Sequence, residues 1–154
     1  MRARLPLTLL LLLGSACRHP DQRADAASRP AVVLAPAGLP PAQVTVRVAR
    51  SEAERERGLM FVEHLPPDEG MLFLMDTDRV QTFWMKDTLI PLDMIFIDRD
   101  LVVVGVVERA VPLDEAHTQS VAAPSRYVLE VNGGWSQAHG VAAGTRVRLE
   151  GVTP

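Results

Sequence analysis

Val44, Val46 and Val48 alternate with Thr45 and Arg47, the period of two that marks a strand with one face in a core. The pattern then changes. Ser51 and Glu54 form a capping box, residues 52–57 mix acids and arginines, and Gly58 offers a left-handed stop, so a helix of about two turns with a solvated charged face follows. Residues 71–75 predict a short apolar strand and residues 76–78 a polar turn. Residues 82–85 and 92–97 read as strands flanking a turn, because Pro91 cannot donate to a ladder and holds Ile90 extended. A hairpin turn at residues 98–100 leads into residues 101–108, apolar on both faces and therefore expected at the centre of a sheet.

Residues 109–125 contain two prolines and little periodicity, which predicts a long loop. In the strand at residues 126–131, Tyr127, Leu129 and Val131 face one way and Val128 and Glu130 the other. Asn132, Gly133 and Gly134 make a turn needing positive φ, and residues 135–139 a helical turn that brings Trp135 within stacking reach of His139. Val147 and Leu149 alternate with arginines, as in an edge strand. The fold class that follows is mainly β, a compact sandwich or partly closed barrel of about six to eight short strands with two short helices.

The first residues follow a different logic. Arg2 and Arg4 precede an apolar run, residues 5–13, too short to span a bilayer, and small residues then lead to Cys17, the chain's one cysteine. This resembles a bacterial lipoprotein signal, with residues 1–16 removed and Cys17 acylated; the alternative is an ordinary secretory signal with a leftover thiol. Arg18 after the cysteine favours the outer membrane, with the domain facing the periplasm. Residues 17–41, rich in alanine and proline, read as a tether, and residues 42–154 as one domain.

Within 154 residues, a formal net charge of −3 and the lack of a Lys/Arg cluster argue against a nucleic-acid partner. The chain has one lysine, Lys86, which stands with Asp87 and Asp93 inside the otherwise apolar stretch 81–98. Five of the six methionines, Met60, Met71, Met75, Met85 and Met94, sit between Leu, Phe and Trp at core spacing and read as packing rather than copper ligands. His19, His64, His117 and His139 lack close spacing, so no metal is expected, and no cofactor motif is present.

Several blocks occur together in one order: Glu54-Arg55 with Gly58-Leu59-Met60, Gly70-Met71-Leu72-Phe73, Phe83-Trp84-Met85-Lys86-Asp87-Thr88, Ile90-Pro91-Leu92-Asp93, Val128-Leu129-Glu130, and Gly140-Val141 with Gly144. In this the chain resembles the DUF192 (UPF0127) family over about residues 43–150. Asp87 stands where asparagine is usual and Thr145 where aspartate is. The resemblance implies a small, mainly β domain, often exported or membrane-attached, with no established activity.

Lys86, Asp93 and Glu130 carry the chemistry we single out. Asp93 shares a strand face with Ile95 and Ile97, and Glu130 with Val128, so both acids are expected at the margin of the core, with Lys86 as partner. One reading is a charged cleft lined by Phe83 and Trp84, with Trp84, Lys86, Asp87, Asp93 and Glu130 binding a small polar ligand or an envelope protein. The other is an ion network that fixes strand register. An enzyme using Lys86 and a carboxylate as acid and base on an envelope substrate is the alternative function, although no catalytic residue is identified by motif.

Overall fold

The computed structural model describes residues 29–153. Strands form at β1 (Ala31–Ala35), β2 (Ala42–Ala49), β3 (Glu69–Arg79), β4 (Leu92–Ile97), β5 (Val103–Ala110), β6 (Ser125–Asn132) and β7 (Arg146–Glu150). They make one sheet in the order β5-β4-β6-β3-β2-β1-β7, antiparallel except between β2 and β3. The sheet curls far enough that its two ends meet. Val102 bridges Arg146, the Val103 N–H donates to the Thr145 carbonyl at 2.9 Å, and the Val147 N–H donates to Leu101 at 2.8 Å. A partly closed barrel of seven strands results, and curling leaves little unpaired edge.

Alternation along the strands divides the apolar residues into two cores. Val32, Leu34, Val44, Val46, Leu72, Ile95, Ile97, Leu129, Val131 and Val147 pack together inside the curl. Phe73, Met94, Phe96 and Val128 project from the opposite face of β3, β4 and β6, where Leu59, Leu65 and Met85 cover them. Met71, Met85 and Met94 are all buried, as their spacing suggested.

The parallel β2–β3 connection carries α1 (Glu52–Arg57). Its capping box is complete: the Glu54 N–H donates to the Ser51 hydroxyl at 3.3 Å, and the Ser51 N–H donates to the Glu54 carboxylate at 2.8 Å. Gly58 ends the helix at φ +46°, and a Cβ there would stand 3.3 Å from the Phe73 ring. The short α2 (Trp135–Ala138) follows Gly134, which has φ +93°, and Trp135 stacks on His139 with ring centroids 4.1 Å apart.

Four expectations change. The tether does not extend to residue 41: β1 lies between β2 and β7, with Ala31, Val32 and Leu34 buried. Prolines 30, 36, 40 and 41 surround this short strand and disguise it as linker. Residues 76–78 belong to β3, whose register shifts between Leu74 and Arg79 to accommodate them. Residues 82–85 form no strand, only a bridge from Phe83 to Gln119, because β5 and β6 already flank β4 on both sides. β5 is terminal rather than central; its outer face is covered by the loop at residues 111–124, where Val121 packs so closely on Gly105 that a Cβ would come within 2.7 Å.

Candidate functional site

The two buried acids have different surroundings. Asp93 pairs with Val131 in the β4–β6 ladder and lies wholly out of solvent. Its carboxylate accepts three backbone N–H donations, from Arg109 and Gly134 at one oxygen and from Ser136 at the other, each at 2.8 Å. These bonds tie the end of β5, the glycine turn and the start of α2 to one point. A carboxylate held by several backbone donors is solvated by the protein itself. Asp93 is therefore a strut, and Lys86 is not its partner.

Glu130 pairs with Met94 in the same ladder, so its side chain leaves the sheet from the other face. It is 4% exposed, and no side chain or backbone donor among the described residues reaches it. Burial alone pushes its carboxyl up to about 8, so it holds its proton through neutral pH. It lines a cavity of about 600 Å³ between α1, β3 and the segment from Gln81 to Thr88. Small-molecule sites commonly have volumes of roughly 300–1,000 Å³.

Three aromatic rings, Phe73, Phe83 and Trp84, stand in a wall that is otherwise mostly polar and charged. Phe83 meets Phe73 edge-on at 5.1 Å and Phe96 at 6.1 Å. Trp84, 48% exposed, stands at the mouth, with the Lys86 ammonium 5.3 Å from its ring centroid. That distance fits a cation–π contact. Several polar groups of the wall are engaged elsewhere. Gln81 is buried and its amide donates to the carbonyls of Thr77 at 2.8 Å and Ser125 at 3.0 Å, anchoring the chain as it leaves β3. The Thr88 hydroxyl donates to the Lys86 carbonyl at 3.1 Å. Arg55 reaches the Asp76 carboxylate at 2.7 Å and the carbonyls of Leu74 and Arg50 at 3.0 and 2.7 Å.

The loop carrying Lys86 and Asp87 is clamped from two sides. The Phe61 N–H donates to the Asp87 carbonyl at 2.8 Å, and the Leu113 N–H to Thr88 at 3.0 Å. Asp87, Phe61 and Leu113 all adopt left-handed backbone, with φ of +51°, +62° and +59°. A short polar side chain tolerates this region, so aspartate fills the position that asparagine would. Bulky Phe61 and Leu113 tolerate it poorly, and both are more than half exposed.

Of the five residues selected as ligand-binding, Trp84, Lys86 and Glu130 line one cavity, whereas Asp87 does not line it and Asp93 lies across the sheet. Arg55 was missed, because its charge run read as a solvated helix face; its place beside Gly58 in the first family block was the available signal. Thr145 uses its hydroxyl to accept from the Ala142 N–H at 3.1 Å, closing the turn that an aspartate would also close.

Known proteins add the following. A 1.55 Å crystal structure from Sinorhizobium meliloti 1021, described as that of a proposed transcription regulator, superposes with a TM-score of 0.75 at 38% identity, covering 80% of this chain and 95% of that one. A 1.22 Å structure from Novosphingobium aromaticivorans, a protein of unknown function, gives 0.73 at 37% identity, covering 77% and 83%. No functionally curated protein matches. The DUF192 model, described as uncharacterized ACR, matches residues 33–149 and so begins within β1 and takes in the Glu130 cavity. With that match over most of its length, the chain belongs to the DUF192 family.

Proposed function

We propose that this domain is a binding module and that the Glu130 cavity takes a small ligand. The observation that carries the reading is a largely buried Glu130 carboxyl, without a partner among the described residues, at the wall of an open cavity that Phe73, Phe83 and Trp84 also line. Burial disfavours the charged form of such a carboxyl, and acids perturbed in this way within a cleft mark candidate sites. Thermal-shift screening of small polar and amphipathic compounds against the parent and Glu130→Gln tests it. Hits lost in the variant support the reading, and equal hits in both place binding elsewhere.

An envelope protein as partner is favoured by a separate observation. Phe61, Leu89, Val111 and Leu113 are exposed apolar residues on segments bonded to, or continuous with, the clamped loop, and two of them are held in strained backbone. Acid–base chemistry by Lys86 would have to use Glu130, because Asp93 is closed off by its three amides.

The regulator description of the Sinorhizobium relative is not carried over, since the net charge of −3 lacks the basic footprint that DNA requires. We place the domain at the bacterial envelope, held by acylated Cys17. That reading rests on the charged, apolar and small-residue order of the leader, which lies outside the described residues.

A further inference from the structure

Resting on the reading that the cavity binds a ligand, we infer that the group recognised there is an ammonium on an apolar body, seated against the Glu130 carboxyl between Phe73, Phe83 and Trp84. The argument is one of supply and demand for hydrogen bonds. A sugar or other polyol needs both donors and acceptors, but in the buried part of the wall, Gln81, Thr88 and Glu130, the donors of the first two are already committed. The Gln81 amide nitrogen is committed to two carbonyls and the Thr88 hydroxyl to a third. What remains there is one acidic point, Glu130, with two neutral acceptors, the Gln81 amide oxygen and the Thr88 hydroxyl oxygen, in a cavity that Phe73, Phe83 and Trp84 also line. An ammonium satisfies that point, and the negative faces of the rings favour it as well. An anion would find no uncommitted donor in the buried wall except the proton of the carboxyl itself.

The charged groups that share the cavity do not supply this partner. From α1 come Glu52, Arg55, Glu56 and Arg57, from β3 Asp76 and Arg79, and from the following loop Lys86. Arg55 is bound to Asp76 at 2.7 Å, and Lys86 rests on Trp84. Among the described residues neither Lys86 nor Glu130 makes an ion pair. The remaining lining charges are of both signs and leave the mouth without a strong single-sign field.

Binding then has a proton balance. The neutral carboxyl of Glu130 gives up its proton, the ammonium keeps its own, and the pair forms as carboxylate and cation, with one proton released to solvent. Affinity for an amine should therefore rise by up to roughly tenfold per pH unit, levelling near the carboxyl's shifted value of about 8.

The test is calorimetric titration of the full chain with benzylamine and cyclohexylamine against benzyl alcohol and cyclohexanol, at about pH 6 and about pH 8.5, in buffers of differing ionisation enthalpy. The expected result is amine binding that tightens by at least tenfold at the higher pH with proton release below pH 8, weaker binding of the alcohols, and loss of the amines' advantage in Glu130→Gln. Alcohols binding as well as amines, or amine affinity independent of pH, would overturn the ammonium assignment and leave the cavity reading standing. Binding of neither class, in parent or variant, would overturn both.

Discussion

Asp93 and Glu130 occupy neighbouring places in the β4–β6 ladder, opposite Val131 and Met94 respectively, and their carboxyl groups leave the sheet on opposite faces. One register step separates a carboxylate closed by three amides from a carboxyl with no partner among the described residues. The two therefore answer differently to substitution.

Replacing Asp93 removes the common acceptor of three segments. Asp93→Ala leaves three N–H groups without it and should cost about 3–5 kcal/mol, as removal of one side of a buried charged network does. Lys86→Met, at a half-buried lysine without an ion pair among the described residues, should change stability by about 1 kcal/mol or less. Urea unfolding of both variants checks this, and a large loss in the lysine variant would restore Lys86 as a strut.

Glu130 should make stability pH-dependent in a defined direction. Its folded pKa of about 8 lies above the ordinary 4.5, so between these values the unfolded chain has lost a proton that the native state keeps. Stability therefore falls as pH rises from the ordinary value to the shifted one and levels off beyond it, by an amount on the order of a few kcal/mol. Glu130→Gln should remove this slope and be more stable than the parent at pH 9. Denaturation midpoints across that range, parent against variant, measure it.

Phe61 is a bulky residue in left-handed backbone, 58% exposed. Phe61→Gly should therefore leave stability unchanged or raise it by up to about 1 kcal/mol, since glycine adopts this conformation without strain. Thermal unfolding gives the sign. Unchanged stability combined with loss of an envelope cross-link would identify Phe61 as part of a docking surface.

Two tryptophans differ in setting, Trp84 48% exposed at the cavity mouth and Trp135 buried inside the curl. Ligand entry should alter Trp84 emission. The change should persist in Trp135→Phe and vanish in Trp84→Phe, as steady-state fluorescence would show.

The leader makes its own prediction. If Cys17 is acylated, the protein from its native host partitions into detergent and labels with a fatty-acid analogue, and Cys17→Ser does neither. A labelled serine variant would refute the anchor.

Much of the architecture was legible in the chain because its signals are local. The Ser51–Glu54 box and Gly58 delimit α1 within one short stretch, and alternation in β6 assigns Val128 and Glu130 to one face and Leu129 and Val131 to the other. The family blocks read in the sequence included Trp84, Lys86 and Glu130, which meet in the cavity. What the tertiary structure alone decided depends on pairing across distance. β1 is five small apolar residues between prolines, and it becomes a strand because β2 and β7 lie on either side of it. β5 is apolar on both faces, yet its second cover is the loop carrying Val121 instead of another strand. Lys86 and Asp93 are close in sequence, but the β4–β6 register turns Asp93 away from the cavity that Lys86 lines, toward the amides of Arg109, Gly134 and Ser136. A period of two tells which residues share a face; which face meets a cavity, a core or a backbone amide is set by neighbours brought from elsewhere in the chain.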